Sequence, residues 1–421
     1  MKSQFVAIAL LLSTVTASGQ VLVEKLSPAE QKIAWAKKAI EKDPGRYQAH
    51  NDLALALARR ARETSNPVYY QQAEEALAKS LRLAPANFEA EKIQVWVLLG
   101  QHKFAAAQEK ATALNRRAPD DVLVYGMLAD AQIELGNYSE AETALQWMLD
   151  LRPGNVPALT RAAYLRELFG DIEGALELMN QAYERTPNNE VEDRAWVLTQ
   201  LAHLELSRGK VEAAERILVR ALKLFPDYHY ALANLAKVRT AQRKFPEAAD
   251  LLQKRFRAAP HPENLFDLAV ALEQAGRRDD AKAAFAEFEV KARAEMESPD
   301  NSNRELVFYY ADHAGQPAEA LRIARLEIAR RKDVHTLDAY GWALYTNGQY
   351  AEAKKQMETA LAVGIHDAKL LYHAGAIAAK LGDTAAAQRY LRQSLDLNPI
   401  SEVAKATGES LAALKPSPAQ P

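Results

Sequence analysis

The 421-residue chain contains no cysteine. That excludes disulfide scaffolds, thiol nucleophiles, iron–sulfur clusters, cysteine zinc sites and a lipoprotein anchor. An excess of one charge is also missing: 53 Lys and Arg stand against 55 Asp and Glu. No global field therefore favours nucleic acid or an anionic membrane. After the first twenty residues no segment is apolar enough to cross a bilayer. HExxH, a glycine-rich phosphate loop and a GxSxG elbow are absent too. What remains is a chain of 48% hydrophobic residues, ordinary for a folded protein.

Residues 1–20, MKSQFVAIALLLSTVTASGQ, run from a basic start through an apolar stretch, Phe5 to Val15, to small residues. This is the pattern of a secretory signal peptide, with Ala17-Ser18-Gly19 as cleavage site. The apolar stretch is about half of what a membrane span needs. The reading is an exported protein, periplasmic or secreted, with a signal peptide over 1–19.

The stretch from Pro119 to Pro153 sets the plan of the rest. Tyr125, Leu128, Ala129 and Ala131, then Ala141, Ala144, Leu145, Met148 and Leu149, recur at helical spacing. Gly136 stops the first helix, because glycine adopts a left-handed cap without steric cost. Pro153 has no amide proton and stops the second. So short a hairpin cannot bury its apolar face alone. Copies follow: Ala73, Ala107, Ala141, Ala175, Ala214, Ala248, Ala281, Ala320, Ala353 and Ala387 stand mostly 33 or 34 residues apart, with two intervals of 39. Seven of these alanines are followed twelve positions on by proline, from Pro85 to Pro399. Seven are preceded by five positions by glycine, from Gly136 to Gly382.

Over residues 45–400 this pattern resembles the tetratricopeptide repeat family, whose unit is a 34-residue helix–turn–helix. Leu128-Ala129, Gly136, Tyr138, Ala141, Leu145 and Pro153 carry the likeness, as do Leu235-Ala236, Phe245, Ala248 and Pro226. The resemblance implies an all-α, right-handed superhelical solenoid of about ten units with capping helices at both ends. The expected layout is a lead-in helix in 20–44, seven units in 45–297, a linker at 298–303 and three units in 304–400. A capping helix over 401–415 and a disordered tail at 416–421 complete it. Ser27-Pro28-Ala29-Glu30 is a helix start. Extra residues in ARRARETSNPVYYQQ predict a longer turn in unit one. The first 39-residue interval predicts a lengthened helix. The second predicts a loop at Ser298–Asn303 and a hinge there.

The resemblance also implies that first helices line the concave side. Arg161, Tyr164, Trp196, Gln200, His203, Tyr230, Asn234, Lys237, Phe266, Tyr309, Asp338, Trp342, Tyr345 and Tyr372 would then form a ligand groove. Rings offer apolar contact at low entropy cost, and the mixed charges set direction. The expected function is a non-enzymatic scaffold holding an extended peptide or protein segment, without cofactor, metal, nucleic acid or membrane insertion. The alternative is a metal-dependent factor or enzyme built on Asp312-His313, His335, Asp338, His366 and His373 in the last three units. His335 and Asp338 share a helix face.

Overall fold

A computed structural model describes residues 26–414, and every structural statement below concerns these residues. The expected signal peptide and the tail from 416 lie outside them. The chain is an all-α solenoid of ten helical hairpins. Helix α1 (Pro28–Lys42) leads into unit one, α2 (Tyr47–Thr64) and α3 (Val68–Leu83). Units two to four pair α4 (Phe88–Gly100) with α5 (Phe104–Arg117), α6 (Val122–Glu134) with α7 (Tyr138–Leu151), and α8 (Val156–Leu168) with α9 (Ile172–Arg185). Units five to seven pair α10 (Val191–Ser207) with α11 (Val211–Leu224), α12 (His229–Ala241) with α13 (Phe245–Ala258), and α14 (Pro262–Gln274) with α15 (Arg278–Glu295). In unit eight, α16 (Asn303–Phe308) continues as a π-helical stretch, Tyr309–His313, before α17 (Pro317–Ile328). Units nine and ten are α18 (Val334–Thr346) with α19 (Tyr350–Leu361) and α20 (Ala368–Lys380) with α21 (Thr384–Leu397); α22 (Ala404–Ala413) closes the array.

The three recurring residue types act as their chemistry requires. Nine of the ten register alanines, all but Ala281 at 3%, are no more than 1% exposed. A methyl is all that fits where the two helices of a unit meet. Before each helix-ending proline the backbone leaves the α region: Ala84, Ala118, Arg152, Ala259 and Asn398 sit near φ −143, −142, −147, −141 and −148. Proline's Cδ forces that move on its predecessor. The turn residue is left-handed even without glycine: His102 and Arg243, in the glycine register of units two and six, have φ 56 and 59. Ser27 makes the full capping box with Glu30.

Two of the three departures from the period resolve differently from a loop-based reading. Unit one spends its extra residues on longer helices, and only residues 65–67 separate α2 from α3. The first 39-residue interval does lengthen α10, to 17 residues. The second is taken up largely by α15, at 18 residues. The stretch after it is a packed corner. Asn301, Ser302 and Asn303 are buried. Asn303 Nδ2 donates to Glu327 at 3.1 Å, and Arg330 donates to the carbonyls of Met296, Glu297 and Ser298. One apolar core joins Phe288 and Ala292 before the corner to Leu306, Val307 and Tyr310 after it.

The solenoid also winds back onto itself. Arg62 on α2 pairs with Glu192 and, at 2.7 Å, with Asp193, both on α10. Tyr228 OH donates to Glu192 at 2.6 Å, and His229 Nε2 meets the Arg62 carbonyl at 2.9 Å. Further along, the hairpin turn of one unit meets a corner between units of the next superhelical turn. The unit-two turn brings His102 to 3.6 Å from Asp300, before unit eight. At the unit-three turn Lys332 N donates to the Glu134 carbonyl (2.9 Å) and Val334 N to Tyr138 OH (3.0 Å), before unit nine. At the unit-four turn Gly170 lies against Gly364, before unit ten. A constant offset produces this seam. The contacts are therefore not confined to neighbouring units, as an ideal linear array would have them.

Candidate functional site

The same offset places the unit-five turn opposite the corner after unit ten, and there the seam stays open. A cavity of about 500 Å³ separates His203, Ser207, Gly209 and Val211 from residues 397–402. Its walls are Ala233, Ala236 and Lys237 of α12, Phe266, Asp267, Val270 and Gln274 of α14, and Lys369 at the start of α20. That volume lies within the range of ordinary ligand pockets, and an apolar wall carrying a few polar groups is their usual composition.

The turn glycines record the difference. A Cβ on Gly136 would lie 2.7 Å from the Lys332 carbonyl oxygen, and on Gly170 2.6 Å from that of Gly364. On Gly209 it would meet nothing within 4 Å.

Charges in the closed part of the seam sit in surroundings poor in water. Burial, with Asp333 adding to it against Arg331 and Arg304, pushes the Glu134 carboxyl up to about 7. Burial and then the Arg331 and Arg304 charges bring His102 down to about 3; burial brings His229 down to about 4. Both rings are neutral at physiological pH, so the His102–Asp300 contact is not an ion pair. At the open end, burial disfavours the Lys369 ammonium, but the neighbouring Glu402 carboxylate, 2.9 Å away, outweighs it and raises the Lys369 pKa. Asp267 is held by Arg255.

Of the residues expected in the groove, His203, Lys237 and Phe266 line the cavity together. His203 Nε2 is 2.6 Å from Glu167, and Phe266 is only 8% exposed, packed on Phe285 and Phe288. Tyr164 is 40% exposed. Arg161 is engaged by both oxygens of Asp130, at 2.8 and 2.7 Å. Trp196 and Gln200 are half-buried; Tyr230 leans on His229, and Asn234 donates to the Tyr230 carbonyl.

Among the C-terminal residues expected in the groove, Asp338 and Trp342 are buried, while Tyr309, Tyr345 and Tyr372 are half-buried. Asp338, 6% exposed, is bonded to His373 Nδ1 at 2.7 Å. Trp342, also 6% exposed, donates to Asp312 and stacks between Tyr345 and His373 at 4.6 and 4.0 Å. Tyr372 packs on the same stack, and Tyr309 donates to Glu289 of α15. Trp342, Tyr345 and Tyr372 fill the space between adjacent first helices, while Tyr309 packs on the second helix of unit seven. The histidines of the alternative reading are spread out: His313 faces Glu273 at 3.2 Å while His373 is spent on Asp338. Among the described residues no three His, Cys, Asp or Glu side chains come together as metal ligands. None of the described helices is long and apolar enough to cross a membrane.

Sequence reasoning missed Arg62, Arg331 and the 397–402 connector, which face groups one superhelical turn away that no periodicity announces. It also missed Arg255, which pairs with Asp267 on the next helix.

Tetratricopeptide-repeat models match residues 93–156, 126–190 and 339–402, and a second such model matches 167–235. With the ten hairpins, these matches define the class: the chain is a tetratricopeptide repeat protein. No curated protein matches it. Solved structures similar in fold include the human IFIT1 dimer with PPP-AAAA, at 13% identity and TM-score 0.48, covering 89% of this chain and 95% of that one. The type IV pilus biogenesis factor PilW is 13% identical at TM-score 0.42, covering 49% and 93%. A tetratricopeptide repeat protein from Parabacteroides merdae is 18% identical at TM-score 0.37, covering 62% and 98%.

Proposed function

We propose that this repeat protein is an exported, non-enzymatic scaffold that holds an extended segment of a partner protein on its concave side. Repeat proteins of this class are protein-interaction scaffolds in general. The single observation behind the finer reading is the break in the seam at unit five, where apolar wall and charged groups lie open together. The signal-peptide pattern of residues 1–20 supports export.

A photo-crosslinking residue at Gln200 or at Thr240 tests this in the native envelope. Adducts to one defined partner segment are expected there, and none from Glu142 on α7, which borders a separate shallow pocket. Adducts from Glu142 alone would move the working surface away from the groove. Export is checked by fractionation of the full chain; retention in the cytoplasm would refute it.

A further inference from the structure

The seam has one rule and one exception. At units two, three and four a corner of the next superhelical turn covers the hairpin turn. At unit five the corner is present, as residues 397–402, but stands back across the cavity. Gly209 is thereby left uncovered where Gly136 and Gly170 each face a carbonyl oxygen.

Charge narrows what can fill the gap. Glu402 is taken by Lys369 at 2.9 Å and Asp267 by Arg255, while Asp367 accepts from Leu370 N. His203 is taken by Glu167. Lys237, exposed on the wall, has no carboxylate within ion-pair distance among the described residues. Asp267 and Glu402 sense its charge, but each has a nearer cation. Around it the lining is apolar: Ala233, Ala236, Val270 and Phe266.

We propose that the gap docks a short extended segment of a partner protein carrying apolar side chains and one acidic residue. The segment's backbone takes the place against Gly209 that Lys332 and Gly364 take against Gly136 and Gly170. Its carboxylate pairs with Lys237, and its apolar side chains lie on α12 and α14. This rests on the groove reading above and specifies where in the groove recognition occurs and by what chemistry.

The test is selection of displayed random nonapeptides on the intact wild-type chain. The enriched peptides are then measured on Lys237→Met and Gly209→Val, with Gly276→Val as control; a Cβ there also meets nothing within 4 Å. Circular dichroism confirms that each variant is folded. Enriched peptides should share one acidic residue flanked by apolar ones. Losing the charged contact should weaken them by about tenfold in Lys237→Met. Gly209→Val should block them, and Gly276→Val should leave them unchanged. An empty selection, peptides without a shared acid, or binding indifferent to Lys237→Met and Gly209→Val would overturn the proposal. Crosslinks from Gln200 to a partner, alongside an indifferent selection, would sink this site and spare the groove. Selected peptides that bind as expected, with no partner captured at the concave side, would do the reverse.

Discussion

The turn of unit three and the turn of unit five share the glycine and the register alanine five positions on, yet one is sealed and the other open. ELGNYSEA and SRGKVEAA each place a glycine in the left-handed region, at φ 80 and 72. Around Gly136 the Lys332 amide, the Val334 amide and the Arg331 guanidinium close the seam; around Gly209 there is room for a methyl and more. Local sequence decides that a turn exists. Whether the turn is a structural contact or a vacant edge depends on what lies one superhelical turn away.

Substituting both glycines breaks the comparison most directly. Gly209→Ala should cost about 1–2 kcal/mol, the penalty of a left-handed residue with a side chain. Gly136→Ala adds a clash with a backbone oxygen and should cost about 3 kcal/mol or more, with the unit-three contact opened. Urea unfolding of the two variants measures the difference. Equal losses would mean that the seam contributes nothing.

Arg62→Ala tests the first closure. It leaves Glu192, 6% exposed, without its cation. The expected loss is about 3–5 kcal/mol, with faster amide exchange at the starts of α10 and α12. Exchange confined to unit one would show that the turns fold independently.

The two ends of the closed seam should respond oppositely to pH. The Glu134 carboxyl has a folded value of about 7 against 4.5 for the unperturbed group, so between these values the folded chain holds the extra proton. Its charge therefore costs nothing below about 4.5 and its full amount above about 7. Glu134→Gln should gain stability over the parent as pH rises from 5 to 7.5. His229, at about 4 against 6.5, works the other way. Its contribution is complete above 6.5 and is lost as pH falls toward 4. His229→Asn should flatten that acid-side loss. Urea midpoints of both variants at pH 5 and 7.5 check the two signs, and parallel curves would contradict them.

The smallest effect concerns Arg243, a left-handed turn residue that no corner covers. Arg243→Gly should raise stability by about 1 kcal/mol, read as a small increase in Tm. The same change at His102 should gain less, because His102 also stacks on Phe104 and faces Asp300.

The ten hairpins were legible because each is a local object. Helix period, a left-handed stop and a proline that bends its predecessor all act within one unit, so Ala141 or Pro153 could be read from a few neighbours. Loop length was less legible, since unit one and α15 turned surplus residues into additional helical turns. The groove was legible only in part. His203 and Lys237 lie where the register puts them, but Trp342 and Asp338 satisfy each other's neighbours, because a ring on a first helix packs as readily on the next first helix as on a ligand.

Sequence alone determined the units, their number and their caps, since these depend on backbone preferences and on burial between residues close along the chain. Only the tertiary structure decided that units two to four are clasped by the next turn and that unit five is not. A small rotation repeated at every unit accumulates until residues more than a hundred positions apart meet. Where the corner at residues 397–402 stands back from the turn it faces, the edge stays open.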